Sequence, residues 1–166
     1  MSTTYRAWRA GFTRRWHSNH DLSDTVDYDA GHQGRVAVLI LNLFPGASRN
    51  LLIRALTHDQ GEVAVGDVSY EAKRKNPVLA QMVRQQEAQE IAAQGLPQPE
   101  LSTGEKVALK LCDSLDAWLW MMRHRAILMT RREWLAQLDL IQHQAKLLGV
   151  AEQVSALTVA AVEAAL

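Results

Sequence analysis

The sequence predicts an all-α fold, a helical bundle of about six or seven helices that forms one domain over residues 1–166. Three observations support this prediction. Apolar residues recur at helical spacing along most of the chain. Sustained alternation of apolar and polar residues is absent, apart from the short segment 63–65. Helix-start and helix-stop signals, built from Ser, Asn, Pro and Gly, separate the apolar stretches.

The composition limits the classes of function. Of the 166 residues, 48% are hydrophobic and 22% are charged, as in an ordinary globular protein. Lys plus Arg and Asp plus Glu both number 18, so there is no net field to attract a nucleic-acid polymer. Cys112 is the only cysteine, which excludes an internal disulfide and a thiolate metal cluster. We therefore expect Cys112 to be a packed core thiol.

The sequence also bears on localisation. The longest apolar run, residues 36–44, contains Asn42 and is too short to span a bilayer. The first residues carry Arg6 and Arg9 instead of an apolar signal core. A cytoplasmic protein that does not interact with a membrane is therefore expected.

The first helix is predicted over residues 3–16, where aromatic side chains recur about every turn. Residues 17–29 are polar and lack periodicity, which predicts a loop. A second helix is expected to begin at residue 29 or 30 and to end at Phe44, because Pro45 and a glycine follow.

Two further helices and a short basic segment come next. Ser48 is the predicted N-cap of the third helix. The basic segment 71–75 precedes Asn76 and Pro77, which fit the N-cap and first helical position of a long, mostly solvated helix. Gly95 is expected to end this helix.

The C-terminal part of the chain predicts three more helices. Ser102 with Glu105, and Thr130 with Glu133, form capping-box patterns at two helix starts. Gly149 separates two amphipathic stretches at the end of the chain.

Two polar residues interrupt the predicted inner faces of these helices. His32 shares a helical stripe with Val36, Leu39 and Leu43. Asp113 shares another with Leu109, Ala117 and Trp120, and Asp116 lies close to it. A buried aspartate is costly unless a metal or a cation compensates for it. A lone buried histidine is more often a packed core residue than a ligand, so its neighbours decide the interpretation.

The neighbours that favour a metal site are His58 and Asp59, adjacent residues after the third helix. Combined with His32 and Asp113 they supply two imidazoles and two carboxylates. This mixed set suits a borderline-hard divalent metal with open positions for water and a phosphate oxygen. The residues themselves therefore point to a phosphohydrolase site.

Two acids follow the His-Asp pair. Glu62 stays on the same side as His58 if the helical turn continues. Asp67 comes directly after Gly66. Both acids are equally well explained as ordinary loop residues.

The order His32, His58-Asp59, Asp113 resembles the metal-binding pattern of the HD-domain phosphohydrolases and spans about half of the chain. A longer pattern is similar to the nucleotidase branch of that family, which includes 5′-deoxynucleotidases and small phage-type dATP triphosphohydrolases. It consists of Arg15-Trp16, His58-Asp59-x-x-Glu62-x-x-x-Gly66-Asp67, Lys73 and Lys110-x-x-Asp113. The compact distance from His58-Asp59 to Asp113 is more similar to the triphosphohydrolases. Ser69 and Glu71 stand where the family often has prolines, a departure that bears on base preference.

The resemblance implies a role for each of these residues. The metal ligands would be His32, His58, Asp59 and Asp113. The residues that handle the attacking water and its proton would be Glu62 and Asp67. The deoxyribose or base pocket would be shaped by Arg15 and Trp16, and the phosphates would be held by Lys73 and Lys110. On periodicity alone, Trp16 is instead expected to close the core, with the neighbouring arginines solvated.

The resulting expectation is a metal-dependent deoxynucleoside triphosphate triphosphohydrolase that prefers dATP. Water would attack the α-phosphate, giving deoxynucleoside and triphosphate. One alternative is a 5′-deoxynucleotidase acting on deoxynucleoside monophosphates. An alternative of another class is a non-catalytic helical binding protein with a structural metal. Co, Mn, Zn, Fe, Ni and Mg are all compatible with the ligand set. A deoxynucleotide is the expected partner, and the resemblance together with the abundant apolar helical surface favours a homo-oligomer.

Overall fold

The computed structural model describes residues 2–165. Within this range the chain forms eight α-helices and two short 3₁₀ helices, and its only extended pairing is an isolated antiparallel bridge between Arg14 and Tyr28. The all-α prediction is confirmed, with slightly more helices than expected. The α-helices are α1 (Thr3–Ala10), α2 (Asp29–Leu43), α3 (Arg49–Ala55), α4 (Tyr70–Lys75), α5 (Pro77–Gln94), α6 (Thr103–Arg125), α7 (Arg132–Leu147) and α8 (Ala151–Glu163), and the 3₁₀ helices are Gln60–Ala64 and Ala126–Leu128.

The chain divides into two compact units, each built from two chain segments. The first unit comprises the chain up to Gly34 together with Leu56–Gln98. The second comprises Arg35–Ala55 together with the chain from Pro99 onward. The prediction of a single domain stays a prediction.

In the first unit, the 3₁₀ helix Gln60–Ala64 packs closely against α5, and α1 contacts both elements. Gly61 makes this approach possible. A Cβ atom at Gly61 would lie 2.6 Å from the backbone oxygen of Glu87 in α5, closer than any side chain can be placed. Glycine at this position therefore sets how near the residues that follow His58 and Asp59 lie to α5.

The first helix is shorter than predicted. It ends at Ala10, and the backbone N–H groups of Phe12 and Thr13 donate to the carbonyls of Arg9 and Ala10 in a closing turn. The following residues pair with the segment before α2, where the N–H of Arg15 donates to Asp27 and that of Asp29 donates to Thr13. The prediction of helix through residue 16 was wrong because these non-local hydrogen bonds replace the helical ones.

Several helix boundaries set by local signals are confirmed. The second helix begins at Asp29 as predicted. The Asn76 side chain accepts from the N–H of Leu79 with Pro77 at the start of α5, and Gly95 ends that helix in the left-handed region with φ 66°. The Ser69 side chain likewise accepts from the N–H of Ala72 at the start of α4.

In the second unit, α6 contacts α3, α7 and α8. Its start is the predicted capping box, in which the Ser102 hydroxyl accepts from the N–H of Glu105 and the Glu105 carboxylate accepts from the N–H of Ser102. The core of the unit consists of fully buried apolar side chains, which include Val36, Ile40, Leu111, Leu115, Met121, Ile141 and Val154. Cys112 is also fully buried, as expected for a core thiol.

Two predictions for this unit were wrong. The buried face of α6 passes through Cys112, Leu115 and Asp116, whereas Asp113 lies on a half-buried face. The apolar residues of α6 are spread widely around the helix. Their spacing therefore does not define which face is buried more closely than about one residue. The Thr130–Glu133 capping box is absent, since the N-cap of α7 is Arg131 and its side chain makes no capping hydrogen bond.

Within residues 2–165, none of the helices has both the length and the apolar character needed to cross a membrane.

Candidate metal centre

Three of the predicted metal ligands come together in the first unit. The Nε2 atoms of His32 and His58 lie 3.2 Å apart. The Oδ2 atom of Asp59 lies 3.4 Å from Nε2 of His32 and 3.5 Å from Nε2 of His58. These three side chains form one of two groups among the described residues that can hold a metal ion.

Local structure explains how these residues meet. His32 lies in the first turns of α2, and its side chain is completely buried. His58 and Asp59 lie on the turn between α3 and the 3₁₀ helix Gln60–Ala64. The carbonyl of Asp59 accepts from the N–H of Glu62, which anchors the turn to the start of the 3₁₀ helix. A buried helical residue and a hydrogen-bonded turn together hold the three ligand atoms in place.

The distances fit a single ion. Ligand atoms about 2.1 Å from one metal, at angles between about 90° and 110°, lie about 3.0–3.5 Å from one another. The separations of 3.2, 3.4 and 3.5 Å fall in this range. Two imidazole nitrogens and one carboxylate oxygen form a borderline donor set suited to Zn, Co, Fe, Mn or Ni. Three ligands from the protein also leave positions for other groups.

Arg15 is the cation of this cluster. Its Nη1 lies 3.2 Å from Oδ2 of Asp59, the same oxygen that faces the two histidines. Its Nε lies 3.8 Å from Oδ2 of Asp27, and the Arg15 side chain is only 11% exposed. Sequence periodicity favours a solvated arginine, and the burial of this side chain contradicts that prediction. The guanidinium is held where it can meet negative charge beside the candidate metal site.

Trp16 is in an unusual backbone conformation. Its φ of 63° is the only positive φ among the described non-glycine residues. The conformation is held by hydrogen bonds from its backbone N–H to Oδ2 of Asp67, 2.8 Å, and from its Nε1 to Oδ2 of Asp27, 3.3 Å. Left-handed backbone is costly for a bulky residue and is concentrated at functional sites. The Arg15 guanidinium lies 5.4 Å from the centre of the indole ring.

Asp67 and Glu62, the predicted water-handling residues, differ in their surroundings. Asp67 accepts the backbone hydrogen bond of Trp16, so it braces the Arg15–Trp16 segment. Glu62 is 9% exposed, and its carboxylate lies in the second candidate group for metal binding, with Asp29 and Asp59. Burial, and then the nearby carboxylate of Asp59, raise the pKa of Glu62 far above its usual range.

Asp29 was missed by sequence reasoning. It is completely buried at the start of α2, and burial together with Asp59 raises its pKa to about 7. A usable signal existed, because Asp29 precedes His32 by three positions and helical residues at this spacing share a face. From the sequence, Asp29 was interpreted only as a loop or helix-start acid.

The remaining predicted site residues are Lys73, Lys110 and Asp113. Lys73 is half-buried on α4 of the first unit. Burial raises the pKa of Glu87, and the positive charge of Lys73 offsets part of this rise. Asp113 and Lys110 lie on α6 of the second unit, and Nζ of Lys110 donates to Oδ2 of Asp113 at 2.8 Å. Neither candidate metal group among the described residues includes Asp113. The roles predicted for Asp113, Lys110 and Lys73 stay predictions.

Comparison of the chain with protein-family models, with curated proteins and with solved structures finds no match.

Proposed function

We propose that this protein is a metal-dependent phosphohydrolase of the HD-domain class that acts on deoxynucleoside triphosphates, preferring dATP. The proposed reaction is attack of water on the α-phosphorus, which breaks its bond to the 5′ oxygen and gives deoxynucleoside and triphosphate. The protein would thus be an enzyme of the nucleotidase branch that its sequence pattern resembles.

The observation that carries the proposal is the convergence of His32, His58 and Asp59 at separations of 3.2–3.5 Å. His32 lies 26 positions before the adjacent His58 and Asp59, yet the three ligand atoms lie at the spacing expected around one ion. A divalent ion held there would act as a Lewis acid toward a phosphate oxygen and a water molecule. In the proposal Asp113 is the fourth ligand.

Arg15 and Trp16 support a phosphate-bearing organic substrate. Arg15 places a delocalised cation beside Asp59, where it can pair with a non-bridging phosphate oxygen. A preorganised cation of this kind contributes on the order of 2–4 kcal/mol to stabilising the transition state. Trp16 offers a flat ring next to that cation, against which a sugar or base can pack. Lys73 and Lys110 are proposed to bind the remaining phosphates.

Glu62 is proposed to take up the proton of the attacking water. Its carboxylate is nearly buried and lies within 4.8 Å of the Asp59 carboxylate, beside the candidate metal site, so it is placed to accept a proton from a metal-bound water. Asp67 would act indirectly, because it holds the backbone of Trp16 and so positions the substrate pocket. A purely structural metal site has no need of a further buried carboxylate such as Glu62, which favours catalysis over a structural metal.

The test is a product analysis. Metal-loaded protein is incubated with each deoxynucleoside triphosphate, each deoxynucleoside monophosphate and the matching ribonucleotides, and the products are separated by chromatography. We expect deoxyadenosine and triphosphate from dATP. Release of inorganic phosphate from monophosphates alone would replace the proposal by a 5′-deoxynucleotidase.

Two histidine variants provide the matched comparison. His32→Ala removes a candidate ligand and should abolish product formation. His143→Ala removes an exposed histidine on α7 and should leave product formation unchanged. Absence of turnover on every deoxynucleotide, with metal bound, would refute the phosphohydrolase proposal.

A further inference from the structure

The first unit contains a second group of potential ligands beside the three already described. One carboxylate oxygen from each of Asp29, Asp59 and Glu62 lies within 4.8 Å of the other two. Asp59 belongs to both groups, so the two candidate sites are adjacent. This second group contains oxygen ligands only.

Asp29 provides the independent indication of a ligand. Its side chain is completely buried, and neither of its carboxylate oxygens has a hydrogen-bond partner within residues 2–165. Buried carboxylates are nearly always hydrogen-bonded or paired, because the loss of hydration without compensation is strongly unfavourable. The two orphaned oxygens point to a partner that the described part of the chain does not supply.

The local backbone of α2 compensates Asp29 only weakly. Asp29 lies in the first turn of the helix, where the helix dipole favours an acid. That stabilisation is several times smaller than the cost of an unpartnered buried carboxylate. The backbone N–H groups of Ala30 and His32 donate to the carbonyls of Gly11 and Tyr28, so they do not cap the Asp29 side chain.

The charges around the group also favour a cation. Three carboxylates converge here, and the guanidinium of Arg15 contacts Asp59. With all three carboxylates ionised, one guanidinium leaves an excess of negative charge, which a bound cation would offset. A divalent cation would bind all three oxygens, since ligand oxygens around one ion at about 2.0–2.5 Å lie up to about 5 Å apart.

We propose that Asp29, Asp59 and Glu62 form a second divalent-cation site, which shares Asp59 with the His32–His58–Asp59 site. Its all-oxygen donor set selects a hard ion such as Mg²⁺ or Mn²⁺, whereas the histidine site suits a borderline metal. The proposal rests on the metal-binding part of the proposed function because Asp59 is common to both sites. Each carboxylate gives one oxygen to the ion, which leaves the second oxygen of Glu62 for the proton of the attacking water. The two sites together would form a two-metal centre. Such a centre stabilises both the attacking and the leaving oxygen in phosphoryl transfer.

The test uses Mn²⁺ as the only metal. The full chain is stripped with EDTA, dialysed against Mn²⁺, and its metal content and electron paramagnetic resonance spectrum are measured. We expect two Mn²⁺ per chain with a spin-coupled spectrum, since ions that share a carboxylate lie a few ångströms apart. Asp29→Asn keeps the shape of the side chain and should bind one Mn²⁺ with an uncoupled spectrum. Asp24→Asn, an exposed acid in the preceding loop, should bind two.

Each result is decisive. One uncoupled Mn²⁺ in the wild-type protein, unchanged in Asp29→Asn, would overturn the second site and leave the histidine site intact. No Mn²⁺ in the wild-type protein would overturn both sites, and with them the proposed function. Circular dichroism monitors the fold of the variants. If Asp29→Asn does not fold, the stoichiometry and spin coupling of the wild-type protein decide the question alone.

Discussion

The partly buried ion pair between Arg35 and Asp116 in the second unit makes a quantitative prediction possible. The Arg35 guanidinium donates to both carboxylate oxygens of Asp116, from Nε at 2.7 Å and from Nη2 at 3.0 Å. Asp116 is only 5% exposed at its side chain, whereas Arg35 is 36% exposed. The Arg35 guanidinium also lies 4.6 Å from the ring centre of Trp120. The perturbation is Arg35→Leu, which keeps side-chain bulk and removes the cation.

The expected loss of stability follows from burial. Removing one partner of a buried ion pair costs about 3–5 kcal/mol, because the other charge is left uncompensated. Since Arg35 is about a third exposed, water screens part of this interaction and the lower end applies, about 3 kcal/mol including the lost contact with Trp120. In a protein of 166 residues this lowers the melting temperature by roughly 6–12 °C.

The assay is urea and thermal unfolding followed by circular dichroism, with Lys110→Met as the control. Lys110 and Asp113 form a similarly short pair on the same helix, but Lys110 is 57% exposed, so breaking it should cost less than about 1 kcal/mol. Replacing both Arg35 and Asp116 by Leu should restore part of the loss, because no buried charge then lacks a partner. A loss in Arg35→Leu no larger than that in Lys110→Met would refute the reasoning.

Four further predictions concern the site and the core. Glu62→Gln should keep the fold and the metal bound at the histidine site. Because an amide cannot accept the proton of the attacking water, turnover should fall at least about 100-fold. Undiminished turnover would show that Glu62 does not take part in proton transfer. Gly61→Ala should destabilise the protein by about 1–3 kcal/mol, because its Cβ would lie 2.6 Å from a backbone oxygen of α5. The matched variant Gly34→Ala, whose Cβ would have nothing within 4 Å, should stabilise helix α2 by about 0.5–1 kcal/mol. Equal unfolding midpoints for the two variants would contradict this contrast. Trp16→Ala should reduce the preference for deoxyribonucleotides over ribonucleotides in the same product assay, and an unchanged ratio would place the ring outside the pocket. Burial raises the pKa of Cys112 to about 12 from 9.0, so iodoacetamide should label it only after unfolding. Rapid labelling of the folded protein at pH 8 would contradict the burial of the thiol. Because the folded state holds the thiol proton more tightly than the unfolded state, the contribution of Cys112 to stability should fall as the pH rises from about 9 to about 12. Urea titrations at several pH values measure this change.

The features predicted correctly from sequence are mainly those decided within one turn of the chain. The capping box of Ser102 and Glu105, the Asn76 cap before Pro77 and the left-handed Gly95 all appear where the sequence places them. Each depends on a side chain meeting a backbone group no more than three residues away, or on the conformational freedom of one glycine. Nothing elsewhere in the molecule is needed to satisfy them.

Two of the errors arise where contacts with distant segments decide the outcome. The aromatic periodicity of residues 3–16 favours one helix, yet the chain turns at Gly11 because the segment that follows pairs with residues 27–29. The buried aspartate of α6 is Asp116 and not Asp113, a difference of orientation that sequence could not resolve. The structure compensates this aspartate with Arg35 of α2, a residue to which sequence reasoning gave no role.

The same distinction between local and long-range determinants applies to the candidate site. The sequence by itself determined the all-α class, most helix boundaries and the chemical types of the ligands, because these follow from local periodicity, capping and the nature of each side chain. Only the tertiary structure decided that His32, His58 and Asp59 meet, that Arg15 is buried beside them and that Asp29 lies there with no hydrogen-bond partner among the residues described. Such convergence depends on packing between segments far apart in the chain, and no single stretch of residues contains that information.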